Sequence, residues 1–354
     1  MKRKSIIIFT LNLTHGGAQR VAARLANALS DKYNVFFLTL SKEQDYPLSG
    51  KVKHLSWRVP DIMQKQPLGR YSYTLAKLYA FLYIFGLRTI KNTVATISFL
   101  RDADQWSVRI PGKGKKIVSE RNNPLGKEHG YFEVACWVYN RADKVVFQSE
   151  TVKSLFPGSI QCKGVVIPNP VEVPLMAGPP KHGKIVCVGR LHPQKNHALL
   201  IRAFARFVIN HPDYSLHIYG DGELKEETEK LISDLSLGGC VFLEGFVRDV
   251  HTAIRDAEFF VMSSDYEGMP NALLEAMMMG IPCISTGFLG SEEFFGQSCS
   301  CLITPVGDEL SLSDAMQTLA DDEKKRNELA AKGAEFAKKY SQENIIPLWE
   351  SLLS

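Results

Sequence analysis

At 354 residues, 45% hydrophobic and 23% charged, the chain has the apolar content for a sizeable core and lies outside the disordered and low-complexity classes. Its length favours two domains over one. The net charge of +4 hides an asymmetry, because residues 1–170 hold 26 Lys+Arg against 11 Asp+Glu and the remainder 16 against 27. A basic half suits a phosphorylated partner, the anionic face of a membrane, or an acidic half across a cleft. No aromatic-and-basic RNA pattern or helix-turn-helix accompanies it, so nucleic acid is not an expected partner.

Residues 5–11 (SIIIFTL) predict a buried strand, and the apolar run is too short, with no small-residue cleavage site, to be a leader peptide. NLTHGG then leads into a helix, AQRVAARLANALSD, with Val21, Ala22, Leu25 and Leu29 at helical spacing. Gly16 and Gly17 allow a close approach of backbone to ligand, although the G-x-G-x-x-G fingerprint is absent. Strands NVFFLTLS and VKHLSW follow. Residues 71–91 are aromatic and apolar between Arg70, Lys77, Arg88 and Lys91. The uninterrupted apolar stretch, Leu78 to Leu87, is about ten residues, short of the roughly twenty that span a bilayer. It is either a buried helix of an α/β domain or a surface helix dipping into a membrane interface.

After strand VATISF, the triplet Asp102-Ala103-Asp104 reads as an acidic helix start in preference to a divalent-metal pair, and no metal or other cofactor is expected. Strand KKIVSERNN delivers Glu120, Arg121 and Asn122 at its carboxyl end, where open α/β sheets bind ligands. Further alternation ends at Pro168-Asn169-Pro170, the start of a proline-rich stretch that reads as an inter-domain linker. The second half restarts strand and helix in alternation, so two doubly wound sheets are predicted. The seven cysteines are scattered without a Cys-x2-Cys pair and fit reduced core thiols of a cytosolic protein.

Two stretches of the second half carry chemistry. Arg190 and Lys195 follow a strand in VGRLHPQKN, and a guanidinium fork with an ammonium point charge suits a departing pyrophosphate. His192 and His197 beside them read as bystanders. The run EFFVMSS breaks at Asp265 into a loop that opens a helix, with Glu267 before it and Glu275 in its early turns. The N–H groups at that helix start form a natural anion seat. By itself the stretch is equally an ordinary strand-to-helix connection with two solvated acids. Met277-Met278-Met279 reads as core packing behind the seat.

Together these features resemble the family 4 retaining glycosyltransferases of the two-domain GT-B fold, in which two Rossmann-like domains face each other across a cleft. The resemblance is carried by Gly16-Gly17-Ala18-Gln19-Arg20, Pro168-Asn169-Pro170-Val171, Gly189-Arg190-Leu191 with Lys195-Asn196, Gly220-Asp221-Gly222, Leu243-Glu244-Gly245-Phe246 and Glu267-Gly268-Met269-Pro270-Asn271-Ala272-Leu273-Leu274-Glu275-Ala276. It implies an acceptor-binding domain over 1–172, a nucleotide-sugar-binding domain over 173–335, and a C-terminal helix within 336–354 packing back on the first domain. It also implies transfer of a sugar, with retention and without an obligatory metal, from a nucleotide diphosphate sugar, with UDP preferred. The implied acceptor is a polyprenyl diphosphate-linked saccharide of O-antigen or capsule type, handled by a cytoplasmic enzyme peripheral to the inner face of the cell membrane. Carried onto this sequence, Glu267 lies by the donor sugar hydroxyls, Glu275 takes the ribose hydroxyls, and Arg190 and Lys195 hold the diphosphate. Gly16 and Gly17 approach the diphosphate from the other domain, the backbone of Met269, Pro270, Asn271, Ala272 and Leu273 cradles phosphate, and Phe246, Val247 and Arg248 lie near the base. Asn169 joins the substrate-binding set. Where some relatives have a histidine near the reacting sugar, this chain has Ser119-Glu120-Arg121-Asn122. A nucleotide-sugar epimerase on the same fold and a non-catalytic nucleotide-sugar or lipid-carrier binder are the alternatives.

Overall fold

A computed structural model of the chain describes residues 3–14, 16–56, 69–90, 92–121, 130–172, 178–247, 249–295 and 298–354. Asn122 and Arg248 lie outside the described residues. Two compact units are formed, residues 1–170 with 343–354, and residues 171–342.

The first unit runs β1 (Ser5–Phe9), α1 (Gly17–Leu29), β2 (Asn34–Thr39), β3 (Lys53–Ser56), α2 (Gly69–Ile90), β4 (Thr93–Phe99), α3 (Arg101–Arg109), β5 (Lys115–Ser119), α4 (Tyr131–Tyr139), β6 (Lys144–Phe147), α5 (Glu150–Ser154), α6 (Gly158–Gln161) and β7 (Gly164–Val166). All strands are parallel, in the order β3-β2-β1-β4-β5-β6-β7. Every residue of β1 is buried, as a strand covered by helices on both faces requires, and this is why its sequence is a continuous apolar run.

In α2 the apolar residues form two stripes. Ala80, Ile84 and Leu87 are buried, while Leu78, Leu82 and Phe85 are exposed; each set recurs at i, i+4, i+7, on different faces. The buried stripe packs in the core with Ile7, Phe9 and Phe36 of the sheet, and the other stripe is exposed. Arg88, at its last turn, is buried and donates to the Ile110 carbonyl at 2.6 Å, capping the carbonyl end of α3. No helix among the described residues is long and apolar enough to cross a membrane.

The second unit runs β8 (Lys184–Val188), α7 (His197–Phe207), β9 (Ser215–Tyr219), α8 (Lys225–Asp234), β10 (Val241–Gly245), α9 (Val250–Ile254), β11 (Phe259–Met262), α10 (Asn271–Met278), β12 (Cys283–Thr286), α11 (Ser291–Phe295), β13 (Leu302–Thr304), α12 (Glu309–Asp321) and α13 (Glu323–Ala337). Its parallel sheet has the order β10-β9-β8-β11-β12-β13. Met277, Met278 and Met279 are buried beneath α10, in the core with Phe260 and Met262.

The chain then forms α14 (Gln342–Ser351), which belongs to the first unit from Glu343 onward. The division falls after Gln342, beyond the expected 335, because Tyr340 and Ser341 still pair with Val171: the Val171 N–H donates to the Tyr340 carbonyl at 2.8 Å. Ile345, Ile346, Trp349, Leu352 and Leu353 of the tail join the core of Ile6, Ile8 and Leu25.

Candidate active site

Strand order reverses between β8 and β11 in the second unit and between β1 and β4 in the first. The carboxyl ends of strands at such a reversal leave a crevice, because their following loops turn to opposite sides. In the second unit Arg190, Lys195 and Glu267 all follow β8 or β11.

Glycines fix the backbone that carries Arg190. The Gly189 N–H donates to the Tyr219 carbonyl (3.0 Å), the Leu191 N–H to the Asp221 carbonyl (3.1 Å) and the Gly220 N–H to the Gly245 carbonyl (2.8 Å), so three neighbouring strand ends are zipped together. A Cβ on Gly220 would sit 1.9 Å from the Gly189 oxygen, and one on Gly222 would sit 2.4 Å from the Leu191 oxygen. The Gly-Asp-Gly motif therefore exists to let one loop lie against the next. Arg190 is left exposed at the top.

Lys195 ends a 3-10 turn, Pro193–Lys195, whose start is capped by the His192 ring, with the Gln194 N–H donating to Nδ1 at 3.2 Å. Asn196 follows in the left-handed region (φ 43°), which asparagine tolerates. Its side chain accepts from the Leu199 N–H to cap α7 and donates to Asp265 Oδ1 at 2.8 Å. The Asp265 N–H returns to the Gln194 carbonyl at 2.9 Å. The loops after β8 and β11 are thus laced together by side chain and backbone.

Glu267 sits at the centre of this lattice, 5% exposed. Its Oε1 accepts from Lys195 Nζ at 2.5 Å and from Ser264 Oγ at 2.6 Å, and its Oε2 accepts from Gln194 Nε2 at 3.3 Å. A nearly buried carboxylate persists in charged form only when its oxygens are satisfied in this way. His197, buried at the start of α7, is drawn down to about 4 by burial, with the Lys195 charge adding to it, and stays neutral at physiological pH.

Between Glu267 and Glu275, α10 begins at Asn271 with no side-chain cap. The Asn271 N–H donates to the Met269 carbonyl at 2.9 Å, and a helix start of this kind is a natural seat for an anion. Met269, Pro270 and Leu273 are buried, Asn271 and Ala272 half-buried. Glu275 is 1% exposed, with its Oε2 3.5 Å from His251 Nε2 of α9. Phe246, just past β10, is 51% exposed, and Val247 is half-buried.

In the first unit, Gly16 precedes α1 and Gly17 opens it, again without a side-chain cap; the Gly16 N–H donates to the Tyr46 hydroxyl at 3.2 Å. A Cβ on Gly16 would meet Gln19 Oε1 at 2.3 Å, and that side chain is held by Asn12 Oδ1 (3.0 Å). Glu120, Arg121 and Asn169 are brought together, but buried. Glu120 accepts from the hydroxyls of Tyr131 (2.9 Å) and Tyr139 (2.8 Å). Arg121 donates to Asn169 Oδ1, lies over the rings of Phe99 (5.3 Å) and Trp349 (5.5 Å), and is lowered to about 9 by burial. Asp104 is fully buried; burial pushes its carboxyl well above the usual range and the Glu120 charge adds to this. Asp102 is 54% exposed beside Arg101, so the two acids of the Asp-x-Asp triplet face different surroundings. Among the described residues, no three His, Cys, Asp or Glu side chains are grouped to hold a metal ion.

The sequence reading did not assign Gln194, Ser264 or His251. Gln194 was within the VGRLHPQKN motif, between the two residues that drew attention, and Ser264 was within EFFVMSS. His251 had no sequence signal, because its meeting with Glu275 depends on α9 lying beside α10.

A model of the glycosyl transferases group 1 family matches residues 177–336. An uncharacterized glycosyltransferase of Methanocaldococcus jannaschii is 28% identical over 298 residues, 69% of this chain and 73% of the relative. A Campylobacter jejuni protein is 25% identical over 372 residues, 100% of this chain and 99% of the relative; it is a GalNAc-alpha-(1->4)-GalNAc-alpha-(1->3)-diNAcBac-PP-undecaprenol alpha-1,4-N-acetyl-D-galactosaminyltransferase. The solved structure of Anabaena HepE in complex with UDP and glucose matches with a TM-score of 0.81 at 17% identity, over 99% of this chain and 100% of that one, a likeness of fold.

Proposed function

We propose, from the match of the glycosyl transferases group 1 model to residues 177–336, that the chain is a member of that family and a retaining glycosyltransferase that moves a sugar from a UDP-sugar to a polyprenyl diphosphate-linked saccharide during envelope polysaccharide assembly. The observation that carries the reading is the convergence of Arg190, the Lys195–Glu267 pair and the uncapped start of α10 at the strand-order reversal of the second unit. The undecaprenol-linked substrate named for the Campylobacter relative supports the acceptor class, and the UDP of the HepE complex supports the nucleotide.

The proposed chemistry follows from these groups. Glu275 accepts hydroxyls of the ribose, and the α10 start and Arg190 hold the diphosphate. As the bond from the anomeric carbon to the diphosphate oxygen breaks, charge builds on the leaving group, and the two cations stabilise it. The acceptor hydroxyl oxygen bonds to the anomeric carbon on the same face, and its proton passes to the leaving diphosphate. Glu267, in this scheme, binds donor sugar hydroxyls. Lys195 must therefore exchange partners: it neutralises Glu267 in the free protein and turns to the diphosphate when the donor arrives. Glu120, Arg121 and Asn169, gathered at the carboxyl ends of β5 and β7, support the acceptor side of the first unit.

The test is to incubate the protein with UDP-sugars and an undecaprenyl diphosphate-linked saccharide. We expect a glycoside with retained configuration and UDP release, together with thermal stabilisation by UDP worth about 2.7 kcal/mol at a hundred times its dissociation constant. An epimerised sugar formed from donor alone, or donor binding without transfer to any such acceptor, would overturn the assignment.

We further propose that the enzyme works in the cytoplasm, attached at the inner face of the cell membrane through the outer stripe of α2. Leu78, Leu82 and Phe85 are exposed on a unit with a large basic surplus, a combination that favours an anionic lipid surface. Leu82→Glu with Phe85→Glu is expected to reduce co-sedimentation with phosphatidylglycerol-containing vesicles at least tenfold at low salt. Equal sedimentation of parent and variant would count against this stripe.

A further inference from the structure

Glu267 is held by three donors, and the proposed chemistry removes one of them. When Lys195 turns to the diphosphate, Oε1 keeps only Ser264 and Oε2 keeps Gln194 among the contacts described above. The two remaining donors differ in stiffness. The serine hydroxyl rotates freely about its C–O bond, so it follows the carboxylate without fixing it.

Gln194 is fixed on several sides. Its amide nitrogen also donates to the Tyr266 carbonyl at 2.9 Å, its backbone carbonyl accepts from the Asp265 N–H at 2.9 Å, and its backbone N–H is bound to His192 Nδ1 at 3.2 Å. The amide nitrogen thus spans the carboxylate and the backbone one residue before it, setting the direction in which Glu267 leaves the loop. A neutral amide also stays in place when a diphosphate arrives, whereas the ammonium is drawn to it.

We infer that Gln194 is a positioning residue for the donor sugar: it fixes Glu267 by Oε2 so that Oε1, on losing Lys195, presents its free lone pair to the sugar hydroxyls. This rests on the reading that Glu267 faces the donor sugar. In this scheme the Gln194 side chain is committed to Glu267 and the Tyr266 carbonyl and is assigned no part in holding the diphosphate or the nucleoside. Its loss therefore acts on the sugar increment of binding and leaves the nucleotide increment alone, and a purely structural role would not produce that split.

The variants are Gln194→Met, which keeps the length and removes the amide, and Gln194→Glu, which keeps the shape and replaces a donor by an acceptor. The backbone bonds of the loop do not depend on the side chain, so the melting temperature of the ligand-free protein reports whether the loop has held. Dissociation constants are measured for UDP, UDP-glucose, UDP-galactose, UDP-N-acetylglucosamine and UDP-N-acetylgalactosamine. We expect UDP to bind within about twofold of the parent. For the best-bound UDP-sugar, the ratio of its dissociation constant to that of UDP rises about tenfold in Gln194→Met, as the loss of one hydrogen bond to a charged group implies, and further in Gln194→Glu. An unchanged ratio overturns the inference, as does an equal weakening of UDP and UDP-sugars. If UDP fails to bind the parent protein, the functional reading falls instead.

Discussion

Lys195→Met is expected to lower turnover by about a hundred- to a thousandfold and to weaken UDP binding, while Glu267→Gln lowers turnover by about a hundredfold and leaves UDP affinity near that of the parent. The magnitudes follow from removing one preorganised group at a centre where charge develops. The difference follows from their partners: the cation is assigned to the diphosphate and the acid to the sugar. Stability should be asymmetric too. The Glu267 side chain is 6% exposed and that of Lys195 23%, so losing the lysine strands a nearly buried carboxylate on Ser264 and Gln194, whereas losing the acid leaves an ammonium that reaches water. Breaking such a pair from the exposed side costs up to about 3 kcal/mol, more than breaking it from the buried side. Steady-state kinetics and UDP titration of the two variants, with their melting temperatures, check all three statements. Turnover near that of the parent in both would sink the assignment of this pair.

The doubly wound sheets were legible in the sequence because parallel strands buried on both faces leave continuous apolar runs such as SIIIF and FFVM, separated by helical periodicity. The candidate site of the second unit, which remains a proposal, was suggested for a related reason: ligands gather at strand carboxyl ends, and Arg190, Lys195 and Glu267 lie just past such runs. What the sequence could not give is pairing between loops distant in the chain. Gln194 reaches Glu267 across 73 positions because β8 and β11 are sheet neighbours, and neighbourhood is a property of topology. The same limit applied to Glu120 and Arg121. Strand-end position marked them as ligand candidates, yet Tyr131 and Tyr139 engage Glu120 while Asn169 and Trp349 engage Arg121, and four residues from α4, the β7 exit and the C-terminal tail leave no joint pattern in the sequence. α2 was ambiguous because it has two apolar stripes, and hydropathy alone does not assign them to core and surface.

Trp349→Ala is expected to cost the first unit about 3–5 kcal/mol, the range for emptying a buried aromatic site. The side chain is 0% exposed, packs 5.8 Å from the Phe99 ring and stacks on the Arg121 guanidinium. It is also the largest side chain that the tail contributes to the core beside Ile345, Ile346, Leu352 and Leu353, and the polar links of the tail are weaker: the Lys32–Glu350 ion pair at 2.7 Å, exposed and worth little, and the Lys115 ammonium on the Leu352 carbonyl at 3.1 Å. The indole N–H has no hydrogen-bond partner among the described residues. Trp349→Phe therefore loses volume without stranding a polar group, and should cost only about 1–2 kcal/mol. Because the two units have separate cores, calorimetry should place the loss in one transition. A drop on the order of 10 °C is expected for the first unit. The stabilisation that UDP gives the second unit should remain, since Arg190, Lys195, Glu275 and the α10 start, which carry most of the proposed nucleotide site, belong to that unit. If Trp349→Ala melts with the parent, α14 does not anchor through this residue. If it abolishes the UDP-induced shift as well, the two units do not unfold independently.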